Sequence, residues 1–230
     1  MSIAENIAQV RTNIETACRE AGRDPGEITL VGASKMNDAA ACREAIAAGI
    51  DVLGENRVQE MTQKLGEHAY DGAPLHFIGH LQRNKVKQVV GHVDLIQSVG
   101  SIELLDEIEK VAAARDLVQD ILLEVNIGRE ESKLGIDPDE LFSVTEQIAE
   151  LEHVRVRGLM AIPPKPQPNQ EKTLYFDRMS KLFIDISAKK YDNITMDCLS
   201  MGMSADYCEA ISCGATIVRL GTAIFGARHY

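Results

Sequence analysis

Two hydrophobic rhythms alternate along this chain. Short apolar runs bounded by turn residues predict strands at 28–35, 51–54, 75–79, 94–99, 120–127, 154–162, 195–200 and 216–221. Between them, apolar residues recur every three or four positions and predict helical segments such as those at 37–48, 57–67, 84–90, 102–114, 138–151 and 170–189. Ahead of the first strand, Ile3, Ile7, Val10, Ile14 and Cys18 mark an amphipathic helix over 3–22 that Gly22 can stop. Eight strands with seven intervening helical segments and a helix in front is the count of an α/β fold, a single (β/α)8 TIM barrel. An open doubly wound sheet usually has fewer strands and carries its glycine-rich loop after the first strand, whereas here the glycine-rich turns come last. Beyond the strand–helix alternation there is no close repeat, linker or second domain, so residues 1–230 are read as one domain.

Composition narrows the function classes. A net charge of −11 over 230 residues argues against a surface built to neutralise nucleic-acid phosphates. No apolar run approaches the roughly 20 residues of a membrane span, and Met1 to Asn6 lack the basic and apolar regions of a signal peptide. A cytoplasmic protein is expected. The five cysteines form no C-x-x-C pair, and the reading is reduced thiols acting as small buried apolar residues. His76 and His80 resemble a metal pair, but four residues of strand span about 13 Å, too far for one ion to bridge, and no metal site is expected.

The chemistry concentrates at strand ends. Lys35 closes the run Ile28 to Lys35, where packing alone explains an ammonium poorly. Strand side chains alternate, so Val31, Ala33 and Lys35 share one face; if that face points inward, the ammonium sits at the C-terminal rim of the barrel. A snorkelling strand-end lysine is the ordinary alternative. By the same parity Ile217, Arg219 and Gly221 share a face, which buries a guanidinium two residues before a small-residue turn. Such a charge needs either a carboxylate or a cofactor acceptor, and a pyridine nitrogen is a good acceptor. Two turns, Ser200 to Ser204 and Gly221 to Gly226, follow the seventh and eighth strands, where barrels commonly bind phosphate. Ser204 can open a helix there as N-cap, with free N–H groups beside it and at Gly221 and Thr222, although Gly and Ser are also ordinary turn residues. Asn56, after the second strand, offers either a rim amide or a helix cap. A lysine, a phosphate site and a ring-nitrogen partner together point to pyridoxal 5'-phosphate carried as a Schiff base. The Pro163 to Pro168 stretch reads as a stiff spacer or as a wall over the barrel mouth.

The chain closely resembles the pyridoxal phosphate homeostasis protein family over nearly its whole length. The match runs through Ala33-Ser34-Lys35, Gly54-Glu55-Asn56 with Val58-Gln59-Glu60, and His76 to Gln82 with Asn84-Lys85. It continues through Val125-Asn126-Ile127, Ser132-Lys133 with Gly135, and Arg157 to Met160. It ends with Leu199 to Ser204 and, most specifically, Val218 to Arg228. His80 stands where many members have proline and Arg83 where many have serine; neither belongs to the cofactor set. The resemblance implies a barrel like the N-terminal domain of alanine racemase, with the cofactor on Lys35. It also implies phosphate contacts at Ser204, Gly221 and Thr222, and ring-nitrogen contact at Arg219.

Two functions compete. One is a non-enzymatic carrier that buffers pyridoxal phosphate or delivers it to apo-enzymes, expected to be a monomer. The other is an amino-acid racemase, which needs acids and bases on both faces of the substrate Cα. In the racemases that the fold resembles, the second base is a tyrosine of an additional β-domain, and this chain ends at Tyr230 without one; Tyr207 or Tyr175 would have to substitute. A protein-binding module finds no specific patch in its favour.

Overall fold

The computed structural model describes residues 1–130, 134–165 and 170–226. Eight parallel strands close into a barrel in sequence order. They are β1 (Thr29–Ala33), β2 (Val52–Glu55), β3 (Leu75–Phe77), β4 (Leu95–Val99), β5 (Gln119–Glu124), β6 (Val154–Met160), β7 (Ile194–Ser200) and β8 (Ile217–Leu220). Closure is made by β8 pairing with β1, with Val31 opposite Arg219 and Gly32 opposite Leu220.

The helices are α1 (Ile3–Ala21), α2 (Ala39–Ala47), α3 (Val58–Gly66), α4 (Ile102–Ala113), α5 (Leu141–Ile148), α6 (Leu174–Ser187), α7 (Tyr207–Ser212) and α8 (Thr222–Phe225). α1 is well specified locally. Ser2 and Glu5 form a reciprocal capping box, and Gly22 ends the helix in the left-handed region at φ 67°. α7 and α8 are short, and α1 packs against both and against α2, covering the seam where the barrel closes. Asn6 ties it down by donating to the Ile224 carbonyl at 2.8 Å.

Alternation along each strand separates two apolar clusters. Leu30, Leu53, Phe77, Ile96, Ile121, Leu123, Leu199 and Val218 point outward into the layer shared with the helices. Val31, Val52, Leu95, Leu122, Met160 and Ile217 form a separate cluster inside the barrel.

Several expectations change in detail. The 84–90 segment is a 3₁₀ turn, Arg83–Gln88, rather than an α-helix. β3, β5 and β6 end at Phe77, Glu124 and Met160, short of the expected ends at 79, 127 and 162. Lys35 lies beyond β1, in a turn after Ala33, because the chain must leave the barrel there to enter α2. Ser204 does not cap α7; its hydroxyl accepts from the Ala223 N–H at 3.2 Å, so it serves the start of α8 instead. All five cysteines are unpaired, but only Cys18 and Cys42 are buried; Cys198, Cys208 and Cys213 are partly exposed. Lys133, the 166–168 part of the proline stretch, and Arg228 and Tyr230 lie outside the described residues.

Candidate functional site at the barrel mouth

The C-terminal ends of β1, β2 and β6, with the loops after β7 and β8, enclose a cavity of about 240 Å³. Lys35, Asn56, Ser204, Arg219, Gly221 and Thr222 all line it, together with apolar walls that include Ile78 and Ile162. Residues far apart in sequence therefore meet at one rim because a parallel barrel presents every strand end there. Pro164 folds against Gly128, where a Cβ would come within 2.6 Å of the proline ring, so the start of the proline stretch packs on the loop after β5.

Two glycines permit this assembly. A Cβ on Gly79 would sit 2.2 Å from the Asn56 carbonyl oxygen, so only glycine lets the two strand ends approach and put Asn56 on the cavity wall. Gly202 adopts φ 91° and its Cα lies against α7, which turns the chain after β7 back toward the mouth.

Arg219 is buried to 5 % exposure. It donates to the Ser200 hydroxyl and, at 2.9 Å, to the Ala161 carbonyl, and among the described residues it makes no ion pair with a carboxylate. Burial depresses its pKa to about 10, with the Glu124 carboxylate pulling the other way, so the guanidinium stays charged at neutral pH. Ser200 in turn donates to Gln97 Oε1 at 2.7 Å, and Gln97 Nε2 lies 2.9 Å from His76 Nδ1. An amide NH₂ only donates, so His76 Nδ1 accepts and the ring is the neutral Nε2–H tautomer. Burial agrees, pulling the His76 pKa down to about 4 against a smaller opposing effect of Asp94. The result is a directed chain across the barrel interior from β8 through β7 and β4 to β3. Sequence reasoning missed Gln97 and Ser200 as parts of this chain. The available signal was parity, since each follows an apolar residue on the inward side of its strand, Gln97 after Leu95 and Ser200 after Cys198.

A second cavity of about 310 Å³ adjoins the first and shares Asn56, Ile78 and Ile162 with it. Glu124, at the end of β5, lines this second space, and burial holds its carboxyl above the usual range, with Arg219 pulling it back down. His80 also lines it, whereas His76 belongs to the interior chain. Tyr207 and Tyr175 line neither cavity; the Tyr207 hydroxyl instead accepts from Asn13 of α1 at 2.8 Å.

Residues 6–229 match the family model described as alanine racemase, N-terminal domain. The pyridoxal phosphate homeostasis protein of Aquifex aeolicus is 43% identical over 230 residues, spanning 100% of both chains. That of Escherichia coli K12 is 40% identical over 231 residues, covering 99% of this chain and 97% of the relative. Among solved structures, PipY of Synechococcus elongatus with PLP bound superposes with a TM-score of 0.84 at 33% identity, covering 98% of this chain and 100% of that one. Alanine racemase of Clostridium difficile shares the fold, with a TM-score of 0.71 at 15% identity over 100% of this chain and 57% of its own. Full-length identity near 40% and a closed barrel with matching topology lead to one assignment: the chain belongs to the pyridoxal phosphate homeostasis protein family.

Proposed function

We propose that this protein binds pyridoxal 5'-phosphate in the Lys35 cavity, holds it covalently through the Lys35 amine, and buffers or delivers it to apo-enzymes in the cytoplasm without substantial catalysis. The observation that carries the reading is the convergence of Lys35, Arg219 and the loops after β7 and β8 on one cavity. The bound group supplies an aldehyde, which condenses with a primary amine with loss of water. Lys35 provides that amine. The donor set fits the cofactor at two further points. Asn56 Oδ1 is buried without a hydrogen-bond partner and awaits a donor. Arg219 has donors left over after Ser200 and Ala161, and it can meet a ring nitrogen without surrendering a proton. Ser204, Gly221 and Thr222 supply the small polar surface that a phosphate requires, at the place where barrels commonly bind one.

The carrier reading is favoured over the racemase by what the cavity lacks. Among the described residues that line it, Lys35 and Arg219 are the only ionisable side chains, and an arginine partner would keep the ring a weak electron sink. Glu124 and His80 line the adjoining cavity, whereas Tyr207 and Tyr175 line neither cavity. Among the described residues no helix is long and apolar enough to cross a membrane.

Borohydride reduction of the loaded protein followed by peptide mapping tests the reading. The label is expected on Lys35, and Lys35→Ala is expected to lose the visible absorbance while melting like wild type. Label on Lys85 or Lys133 with Lys35 unmodified would overturn it. Deuterium incorporation into L-alanine decides between carrier and racemase. Exchange far below ordinary turnover, about 1–1,000 s⁻¹, is expected for the carrier. Exchange at that rate with D-alanine formed, and lost in Glu124→Gln, would establish the racemase instead.

A further inference from the structure

The peptide units on both sides of Lys35 are held by one helix. Lys64 Nζ donates to the Ser34 carbonyl oxygen at 2.8 Å, which fixes the peptide entering Lys35. The Met36 N–H donates to Glu60 Oε2 at 2.8 Å, which fixes the peptide leaving it. Glu60 and Lys64 are four residues apart on α3 and therefore share a face. Asn37 Nδ2 adds a third hold by donating to the Lys35 carbonyl at 3.1 Å.

A buried cluster anchors this clamp to the barrel. Glu55 Oε1, at the end of β2, accepts from Lys64 Nζ at 2.6 Å, the Ser34 hydroxyl at 2.6 Å and the Tyr70 hydroxyl at 3.1 Å. Ser34 and Glu55 are fully buried and Lys64 nearly so. Tyr70 stays a donor, since burial and then the Glu55 charge raise its pKa. Meanwhile Met36 sits at φ 63°, a region that residues other than glycine rarely adopt. A chain left to itself would relax from that conformation and carry the Lys35 Cα away from the rim.

We propose that α3 is a positioning element for Lys35, with Glu60 and Lys64 as positioning residues that act through the flanking peptides rather than by touching the cofactor. The proposal deepens the reading of Lys35 as the cofactor lysine and rests on it. It also gives a role to Glu55 and Glu60, which belong to quoted motifs but lie outside the cofactor set.

Glu60 is the better test, because removing Lys64 breaks a buried ion pair and endangers the fold. In Glu60→Ala, covalent uptake of pyridoxal phosphate is expected to slow about tenfold or more, the scale of one lost hydrogen bond to a charged group. In the cofactor-free protein, hydrogen exchange at the Met36 amide is expected to rise in parallel. Glu60→Gln keeps an oxygen acceptor and is expected to restore both readouts to within about twofold of wild type. An unchanged uptake rate in Glu60→Ala while Met36 exchange rises would overturn the proposal, as would a Gln variant as impaired as Ala in both. Borohydride labelling of the wild type separates the two levels. Failure to label Lys35 removes the cofactor reading, whereas the Met36 exchange result still reports on the clamp.

Discussion

The two faces of the same eight strands are built on different physics. Outward, Leu53, Phe77, Ile96, Ile121 and Leu123 are completely buried beneath the helices, in contacts that depend on volume and area but little on direction. Inward, one layer of six apolar residues gives way to Arg219, Ser200, Gln97 and His76, where each donor has a particular acceptor. The outer face meets only other parts of the protein and can be packed with hydrocarbon. The inner face ends at a cavity, so Arg219 is held by protein partners on one side and borders open space on the other. A buried guanidinium that makes no ion pair with a carboxylate among the described residues is tolerable under those conditions, because the neutral chain orients it and Glu124 acts on it only from a distance.

Three experiments break or sharpen this contrast. Phe77→Ala on the outer face opens a cavity in the barrel–helix layer and is expected to cost about 3–5 kcal/mol in urea unfolding, the largest effect here. A loss under about 1 kcal/mol would mean that the outer layer is looser than its complete burial implies. On the inner face the expected signature is pH dependence. His76 is neutral when folded, and its pKa falls from 6.5 to about 4, so below about pH 6.5 the unfolded chain binds a proton that the folded protein refuses. Stability therefore falls as the pH drops through that window, by up to about 3 kcal/mol at its lower end. His76→Gln should flatten this part of the profile; an identical slope in both proteins would show that the ring is not held neutral. The smallest effect is a coupling. Ser200→Ala and Gln97→Met share a hydrogen bond and are expected to be non-additive by at least about 0.5 kcal/mol in a double-mutant cycle. Additivity within error would reduce the inner chain to independent contacts.

The same contrast explains what could be read in the sequence. The outer face writes itself as local periodicity, so the eight strands and the barrel count follow from patterns of a few residues, α1 most fully because its capping box is also local. Arg219 stood out because a charge at an inward strand position violates that pattern, and Lys35 because the apolar run of β1 leads straight into it. The inner chain left a weaker mark, since Gln97 and Ser200 are separated by 103 residues and nothing near either one in sequence requires the other. The α3 clamp is similar: Glu60 and Lys64 read as the ordinary charged positions of an amphipathic helix until the fold brings them against the Lys35 turn. Ser204 was placed at the right rim but on the wrong helix, because a hydroxyl in a tight loop has two helix starts within reach and sequence order suggested the nearer one.

The pairing of β8 with β1 has a consequence for folding. Lys35 follows the first strand and Arg219 lies in the last, so they become neighbours only when the two ends of the barrel zip together. If the proposed site is the cofactor site, an open or partly folded sheet would lack it, however complete its other strands. A ligand that engages both residues binds the closed form alone and, by mass action, stabilises the seam itself, by about 2.7 kcal/mol when present at one hundred times its dissociation constant. Cofactor saturation would thus act as a latch on the contact that closes the sheet, and the resistance of the seam to opening would track the supply of the vitamin-derived ligand.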